Sequence, residues 1–226
     1  MSRTESQHRR QIAEVGRWLH QKNFVAATDG NISARLQDGR VLVTPGNTSK
    51  GMLRPLDMVL VDMQGNKLAG RGNASSELPM HLLIYRRRPD VGGIVHAHPP
   101  TATGYAVAGI ALDKAVLPEV VVSLGRVPLA RYATPGSPEL NKTLRNLVSQ
   151  YDAILLANHG VVTFGEDLIQ AFFHMETVEQ FARISLVAKL LGKQALLSKQ
   201  ETEKLRALRP PHNKSRKRTQ SRDRKL

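Results

Sequence analysis

The chain has 226 residues and a formal net charge of +14 at pH 7, with 33 Lys and Arg against 19 Asp and Glu. A chain of this length folds as one domain with a sizeable core, or as two small ones at most. Cysteine is absent, which excludes disulfides, thiolate metal sites and a cysteine nucleophile. The sequence shows neither an apolar run that would span a bilayer nor a secretory signal, so we expect a cytoplasmic protein that does not enter membranes.

The positive charge is concentrated near the C-terminus. Residues 209–226 contain eight basic residues and one acid, which together account for half of the net charge. They include two prolines and almost no apolar side chains, and such a segment buries too little surface to offset the entropy of ordering. We predict a folded domain over residues 1–197 and a basic, disordered tail over residues 198–226. A solvated tail is favoured over an arm that binds nucleic acid or another polyanion.

The first half of the chain is predicted to begin with a helix and then to alternate strands and helices. Ile12, Val15 and Leu19 share one helical face, and the serines at 75 and 76 suit the start of a later helix. In chain order we predict a helix over 7–23, strands over 40–44 and 58–63, a hairpin turn at 64–66, a helix over 75–88, a strand over 93–98 and a helix over 101–108.

The second half is predicted to add strands and a long helix. Ser137 suits a helix N-cap before Pro138, and Gly192 suits the position just after a helix C-terminus. The alternation of both element types indicates a single α/β domain. In chain order we predict strands over 120–124 and 127–132, a helix over 137–149, strands over 153–157 and 161–164, and a helix over 167–191.

Three histidines are candidate metal ligands. His96 and His98 are two residues apart on a predicted strand, so both imidazoles face the same way. His159 follows an apolar strand at the point where side chains emerge from a sheet. Three imidazoles are a common protein complement for a catalytic zinc ion. Glu77 offers an oxygen ligand or a general base, although an acid at that position also simply stabilises a helix N-terminus.

The other histidines carry weaker signals. His81 lies four residues after Glu77 and is a rival ligand, because it shares the same helical face. His174 lies in the long helix and is interpreted as a packed or interface residue. The remaining histidines show no pattern; they are His8, His20 and His212.

Three loop segments suit an anion. They are rich in small and hydroxyl residues whose backbone N–H groups can contact a phosphate, and one of them precedes a helix N-terminus. Each segment taken alone is more typical of an ordinary turn. There is no Walker loop and no G-x-G-x-x-G motif, so a nucleotide is not supported. The segments are Gly30-Asn31, Thr44–Lys50 and Ser75-Ser76.

Five short motifs in this order resemble the class II aldolase/adducin-like family. They are GNIS at 30–33, VTPGN at 43–47, SSE at 75–77, HAHPP at 96–100 and NHG at 158–160. The resemblance covers about residues 8–195. It implies a three-layer α/β/α domain with a central, mainly antiparallel sheet, assembled as a homotetramer with sites at subunit interfaces.

The resemblance also implies roles for individual residues. His96, His98 and His159 match the zinc ligands of the family, and Glu77 matches a carboxylate that binds the metal in the free enzyme and then acts as acid and base. Gly46 and Asn47 depart from the usual Ser/Thr-Gly pair, and Thr48, Ser49 or Lys50 would have to compensate. The phosphate-binding positions are Gly30, Asn31, Thr44, Gly46, Asn47, Ser75 and Ser76.

The choice of reaction depends on residues that differ between branches of the family. Glu77, where epimerases typically have Asp, and the stretch LPEVVVSLG count against an epimerase. Glu119 is a candidate acid/base that keeps a dehydratase or decarboxylase open. Neither Tyr105 nor Tyr132 is a secure match for the aldolase tyrosine. We therefore expect a lyase that uses Zn²⁺, or another divalent ion such as Mn²⁺, to cleave a small ketose 1-phosphate of the fuculose or deoxyribulose type.

The products of that reaction would be dihydroxyacetone phosphate and an aldehyde, formed through a metal-stabilised enediolate. The alternatives within the family are a sugar-phosphate dehydratase, a decarboxylase and a 4-epimerase. A different class of function is a non-enzymatic, adducin-like scaffold that works through the basic tail. The histidine set and Glu77 count against a scaffold, which needs none of them.

Overall fold

The structure, a computed structural model, describes residues 3–209, which form seven α-helices and eight β-strands. The helices are α1 (Glu5–Gln21), α2 (Leu78–Arg87), α3 (Pro100–Val107), α4 (Pro118–Ser123), α5 (Pro138–Leu144), α6 (Leu168–Leu190) and α7 (Lys199–Leu208). The strands are β1 (Asn31–Arg35), β2 (Val41–Val43), β3 (Val59–Val61), β4 (Lys67–Ala69), β5 (Gly93–Ala97), β6 (Leu129–Ala130), β7 (Ala153–Leu156) and β8 (Gly160–Gly165).

One sheet contains all of these strands, in the order β4-β3-β2-β1-β5-β8-β7-β6. Neighbouring strands are antiparallel except β6 and β7, which are parallel. In the centre of the sheet, His96 of β5 pairs with Asn31 of β1 on one side and with Val162 of β8 on the other. This register brings the ends of three central strands to one edge of the sheet.

Helices cover both faces of the sheet, because successive strand residues point to opposite sides. In β7, Ala153 and Leu155 belong to a core shared with α1, α3 and α6, whereas Ile154 and Leu156 belong to a core shared with α2 and α5. The expected three-layer α/β/α domain with a mainly antiparallel sheet is therefore confirmed. His96 follows Ile94 by two residues, so it points towards the α2 side of the sheet.

Most predicted elements are present with shifted ends. Two of the predicted helix signals are confirmed: Ser137 accepts a hydrogen bond from the backbone N–H of Leu140, and Gly192 follows α6 with a φ of +89°. The helix predicted over 137–149 ends at Leu144. The helix predicted to begin at the serines begins at Leu78 instead, with Glu77 at its N-cap position and no side-chain cap.

The strand predicted over 120–124 is wrong. These residues lie in α4, where Pro118 occupies the first turn and Glu119 adds an acid near the positive end of the helix. Val120 and Val121 are buried from this helix, so packing overrides their preference for strands. The strand predicted over 127–132 shortens to Leu129–Ala130.

The chain continues as a helix beyond residue 197, the position at which the sequence predicts the end of the domain. Ser198 caps α7 through its side chain, and α7 packs against α4. Arg209 then pairs with the buried Asp152 at 3.1 Å, so the folded part continues at least to that residue. The prediction of a disordered tail beyond it falls on residues 210–226, which lie outside the described residues. Between residues 3 and 209, none of the helices has the length and apolar character that crossing a bilayer requires.

Candidate metal and substrate site

Three imidazoles meet at the side of the sheet where β5 and β7 end and β8 begins. His96 lies on β5, His98 follows its last residue, and His159 lies in the turn between β7 and β8. One nitrogen from each ring lies within 4.8 Å of the others, and the ring centroids are 4.7–5.1 Å apart. The structure thus brings together the three histidines that the sequence predicts as ligands.

Backbone contacts fix the direction of these rings. Nδ1 of His96 lies 2.9 Å from the carbonyl oxygen of Val161, which can only accept, so Nδ1 carries a proton and the neutral ring has its lone pair on Nε2, which faces the site. Such an outer hydrogen bond is typical of histidines that bind metals. Asn158 adopts a left-handed conformation with a φ of +56°, which turns the chain so that His159 follows at the site.

Gly160 allows the turn to approach the neighbouring strand. A Cβ at this position would lie 2.5 Å from Cδ2 of His98 and 2.6 Å from the carbonyl oxygen of Ala97. A side chain would therefore collide with one of the imidazoles and with the strand that carries it. This explains why glycine directly follows His159 in the NHG motif.

Glu77, at the N-cap of α2, adds a carboxylate on the side of the sheet that His96 faces. Its Oε2 lies 3.2 Å from Nε2 of His96 and accepts a hydrogen bond of 2.8 Å from Nδ2 of Asn31. Its Oε1 lies 3.6 Å from Nε2 of His159. Oε1 is buried and has no hydrogen-bond partner among the described residues. The carboxylate therefore faces the imidazole cluster with one oxygen free to accept a ligand.

The electrostatics of the cluster differ from residue to residue. Burial alone would raise the pKa of Glu77, but the nearby His96 and His159 hold it well below its usual range. Burial opposes a charge on His96, yet Glu77 raises the pKa of that imidazole above its ordinary value. Burial, with His96 nearby, lowers the pKa of both His98 and His159 to about 4. At neutral pH these two rings are neutral, as metal ligands must be.

This donor set fits a divalent metal ion. Three imidazole nitrogens converge, and the carboxylate beside them has an unpartnered oxygen. Nitrogen and oxygen donors of this kind suit zinc and other first-row divalent ions. The residues that would hold the ion are His96, His98 and His159, with Glu77 as a fourth donor.

A cavity of about 200 Å³ adjoins the cluster. Six of the seven predicted phosphate-binding residues line it, together with side chains that the loop motifs alone did not single out. Thr44 does not line it, because its hydroxyl is buried and accepts a hydrogen bond from the N–H of Ile32. The lining residues are Thr28, Asp29, Gly30, Asn31, Pro45, Gly46, Asn47, Lys50, Ser75, Ser76, Glu77, His98 and His159.

Gly30 and Asn31 line this cavity in different ways. Gly30 has a φ of +72°, and a Cβ there would lie 2.7 Å from the carbonyl oxygen of His96, so the loop needs glycine to come so close to β5. The side chain of Asn31 contacts both Glu77 and His81. Asn31 is therefore bound into the protein by both ends of its amide group.

Lys50 and Asp29 are charged residues of the cavity that the sequence motifs did not identify as a pair. Lys50 is only 1% exposed, and its Nζ donates hydrogen bonds to the carbonyl oxygens of Thr28, at 2.8 Å, and Thr48. Burial lowers the pKa of Lys50 to about 8, although Asp29 opposes this shift. Asp29 also lies 3.6 Å from Nδ1 of His98. A buried lysine that joins two loops is not recognisable from a turn motif.

Two other predicted candidates have different surroundings. His81 does not join the imidazole cluster, because both of its ring nitrogens are hydrogen-bonded, to Ser33 and Asn31. The hypothesis that it is a rival ligand is therefore wrong. His174 is buried in α6 with Nδ1 2.9 Å from the carbonyl oxygen of Phe164, as expected for a packed residue.

Glu119 lies apart from the imidazoles within this chain. It is exposed on α4 and lines a separate cavity of about 1000 Å³ whose walls include Phe24, Phe173 and Glu179. Neither tyrosine considered from the sequence lines the cavity beside the imidazoles. Tyr105 is buried in α3, and Tyr132 is exposed after β6.

Comparisons with known proteins indicate the family of this chain. The model of the class II aldolase and adducin N-terminal domain matches residues 10–186. A 3-oxo-tetronate 4-phosphate decarboxylase of Haemophilus influenzae is 35% identical, over 76% of this chain and 84% of its own. An L-fuculose phosphate aldolase of Methanococcus maripaludis is 32% identical, over 78% and 95%.

The fold is also similar to that of a solved L-fuculose 1-phosphate aldolase. The two structures align with a TM-score of 0.84 and 30% identity, over 91% of this chain and 97% of the other. Fold and sequence therefore lead to one conclusion: the chain belongs to the class II aldolase and adducin family.

Proposed function

We propose that this protein is a divalent-metal-dependent lyase that breaks a carbon–carbon bond next to the ketone of a small phosphorylated substrate. The observation that supports this proposal most directly is the contact of 3.2 Å between Glu77 and His96, within a cluster of three imidazoles. It places a proton-transferring carboxylate beside a set of metal-binding nitrogens. The adjoining cavity, lined by loop backbone and Lys50, would take the phosphate end of the substrate.

The metal is proposed to be zinc, with Mn²⁺ as an alternative. When bound, such an ion polarises the substrate ketone and stabilises the negative charge that develops as the bond breaks. His96, His98 and His159 hold it, and the hydrogen bond from His96 to Val161 keeps the first of these ligands oriented. The protein itself supplies binding, orientation and proton transfer.

The phosphate is proposed to bind where the loops meet. Gly30, Gly46 and Asn47 present backbone beside Ser75 and Ser76, whose hydroxyls lie just before the N-terminus of α2. A helix N-terminus and free N–H groups favour an anion. Lys50 adds a positive charge at neutral pH, because its pKa of about 8 lies above 7. Binding at this non-reacting end would orient the ketone towards the imidazoles.

Glu77 is proposed to move a proton to the carbon that loses its substituent. The carboxylate is ionised at neutral pH, because its pKa lies well below its usual range. In aldol cleavage the hydroxyl of the departing aldehyde loses its proton to solvent, and the ionised Glu77 takes up a proton from solvent and passes it to the remaining carbon. In decarboxylation only the second transfer is needed, and its proton comes from solvent. Glu77 is the group in position to deliver it in either case.

The two activities named for the relatives share one half of the substrate. Loss of CO₂ from a 3-oxo-tetronate 4-phosphate and cleavage of fuculose phosphate both leave dihydroxyacetone phosphate. Aldol cleavage of a ketose 1-phosphate is our first candidate, because Glu77 is the residue that the aldolase motif requires. Decarboxylation is the second, since a decarboxylase is 35% identical and no tyrosine lines the described cavity.

One product assay tests the proposal and separates the two candidates. The full-length, metal-loaded protein is incubated with ketose 1-phosphates and with 3-oxo-tetronate 4-phosphates, and dihydroxyacetone phosphate, aldehyde and CO₂ are measured. Aldehyde with dihydroxyacetone phosphate supports the aldolase, and CO₂ with dihydroxyacetone phosphate supports the decarboxylase. A dehydrated or an epimerised product would contradict both candidates and indicate a dehydratase or a 4-epimerase instead. Full turnover after complete removal of metal would contradict the mechanism.

The assembly is proposed to be a homotetramer with its sites at subunit interfaces. A neighbouring subunit would then supply further side chains to the cavity, and Glu119 on α4 remains a candidate acid/base only in that setting. The mass of the protein in solution, measured by light scattering, tests this. A monomer with full activity would contradict both the homotetramer and the sites at its subunit interfaces. A cytoplasmic location stays a prediction, and so does a solvated tail in preference to one that binds a polyanion.

A further inference from the structure

A chain of buried hydrogen bonds connects the inside of the α2 layer to Glu77. The hydroxyl of Tyr85 lies 2.8 Å from Oγ of Ser33, which lies 2.7 Å from Nδ1 of His81. Nε2 of His81 lies 2.6 Å from Oδ1 of Asn31, whose Nδ2 lies 2.8 Å from Oε2 of Glu77. All five residues are buried. This chain of hydrogen bonds therefore reaches the candidate site entirely through the protein interior.

The chemistry of the groups fixes the direction of each hydrogen bond. An ionised carboxylate only accepts, so Glu77 must face the N–H end of the Asn31 amide. The amide oxygen then faces His81 and only accepts, so Nε2 of His81 must carry the proton. Nδ1 of the same neutral ring can then only accept, so Ser33 donates to it. Tyr85 donates to the remaining position on the Ser33 oxygen.

His81 accepts a hydrogen bond from Ser33 at one ring nitrogen and donates one to Asn31 from the other. Its imidazole is fully buried, and burial lowers its pKa to about 3, with His96 nearby adding to the effect. It is therefore neutral at physiological pH and has a single tautomer that satisfies both neighbours. With both nitrogens used inside the protein, it has no lone pair left for a metal ion.

We propose that His81 is a positioning residue that sets the orientation of the Asn31 amide and thereby holds the Glu77 carboxylate against His96. Without a donor at the position of Nε2 of His81, no hydrogen bond holds the oxygen of the Asn31 amide towards α2. If that amide rotates, its oxygen faces the Glu77 carboxylate and repels it. The effect on catalysis rests on the proposed function, in which Glu77 transfers the proton.

Two substitutions of His81 separate this role from simple packing. The amide nitrogen of a glutamine reaches the position of Nε2, so His81→Gln keeps a donor for Asn31. The shorter His81→Asn reaches only the position of Nδ1 and offers Asn31 nothing. We expect kcat to fall by about 10- to 100-fold in His81→Asn, as for other residues that orient site groups, with KM changed less than kcat. His81→Gln should recover most of that loss.

His174→Asn is the matched control, because it also removes a buried imidazole that contacts a carbonyl oxygen, but in α6. It should lower thermal stability while leaving kcat close to that of the unsubstituted protein. If His174→Asn and His81→Asn reduce kcat equally, or if His81→Gln is as poor as His81→Asn, the effect is one of packing and the proposal is wrong.

An NMR measurement tests the directions of these hydrogen bonds and does not require an activity assay. The ¹⁵N chemical shifts of the His81 ring in the full-length protein report which nitrogen carries the proton. We expect the proton on Nε2 between pH 6 and 8, and a proton on Nδ1 would overturn the proposal.

If the whole substrate panel gives no product, the proposed function fails. Crystal structures of the two variants then decide the positioning role: Glu77 should move away from His96 in His81→Asn and keep its place in His81→Gln.

Discussion

Nε2 of His96 lies 3.2 Å from Oε2 of Glu77, so the nitrogen proposed to bind the metal is in direct contact with the oxygen proposed to transfer the proton. Each stabilises the charged form of the other, which raises the pKa of the imidazole and lowers that of the carboxylate. A metal ion on His96 would take the place of this contact and leave the carboxylate available to the substrate.

Replacement of that carboxylate is expected to separate binding from proton transfer. Glu77→Gln keeps the size of the side chain and one oxygen but removes the base, so kcat should fall by about 100-fold or more while KM changes little. The direct measurement is exchange of deuterium from solvent into dihydroxyacetone phosphate, followed by proton NMR. Exchange at the rate of the unsubstituted protein would exclude Glu77 as the proton-transferring group.

The metal content depends on all three histidines. Purified protein is expected to bind about one divalent ion per chain, and His96→Ala, His98→Ala or His159→Ala should each lose it together with turnover. Elemental analysis and calorimetry with Zn²⁺ and Mn²⁺ check this. His174→Ala removes a histidine from outside the cluster and should keep the metal. A metal content in the three site variants equal to that of the unsubstituted protein would contradict the site.

Metal binding should release about one proton per chain at pH 6. In the metal-free protein only His96 is protonated there, because its pKa is raised, whereas His98 and His159, with pKa values of about 4, are already neutral. The release should fall to zero as the pH rises above the pKa of His96. Calorimetry in buffers of different ionisation enthalpy measures it.

Glu77→Gln provides the control for this experiment. Without the carboxylate, the pKa of His96 loses its main raising contribution, so less proton should be released at pH 6. Release of three protons from the unsubstituted protein would show that the histidines are solvated, and unchanged release in Glu77→Gln would show that the contact with His96 is absent in solution.

Lys50 should make stability depend on pH in the alkaline range. Its pKa falls from an ordinary value of 10.5 to about 8 on folding, so between these values the unfolded chain holds a proton that the folded chain lacks. The free energy of unfolding therefore gains up to about 3 kcal/mol from this residue as the pH rises through that interval. The difference between the unsubstituted protein and Lys50→Met, measured by urea unfolding at pH 7 and pH 10, isolates this contribution.

The same substitution tests the role of Lys50 in the cavity. Lys50→Met should raise KM for a phosphorylated substrate by more than it changes kcat, because the charge serves binding of the non-reacting end. Lys50→Arg should restore part of the affinity. An unchanged KM in Lys50→Met would place the phosphate elsewhere.

The last helix should contribute to stability, whereas the residues after it should not be needed for turnover. Arg209 pairs with a buried oxygen of Asp152, and Arg209→Ala is expected to lower the free energy of unfolding by about 1–3 kcal/mol. A chain ending after residue 209 should keep activity, and one ending after residue 197 should lose stability. Lys204→Ala, at an exposed position of α7, is the control. Lost activity after removal of residues 210–226 alone would show that the tail is part of the enzyme.

Local patterns were sufficient to predict the central part of the site. The spacing of His96 and His98 requires only a strand, and the place of His159 requires only that an apolar strand ends before it. The α/β class follows from alternating elements, and capping residues such as Ser137 mark helix ends correctly. These features depend on neighbours in sequence, which is why the sequence reveals them.

What the sequence could not predict depends on long-range packing. The valines of α4 favour a strand by themselves, and their helix forms because it packs against α6 and α7. His81 shares a helical face with Glu77, but Ser33 and Asn31 from a strand far away in sequence decide its role. Thr44 and Lys50 belong to one loop, yet one points into the protein and the other lines the cavity.

The imidazoles and the acid come from different parts of the fold. The register of β5 with β8 and the turn at Asn158 space the imidazoles, whereas the short segment 75–77 before α2 carries the acid and the serines beside it. Substitutions in that segment can change the acid and the phosphate contacts without changing the strand register. Under the proposed function, such substitutions would change the bond-breaking reaction and leave the three imidazoles in place. The histidines would then hold the metal, and the segment before α2 would set the reaction.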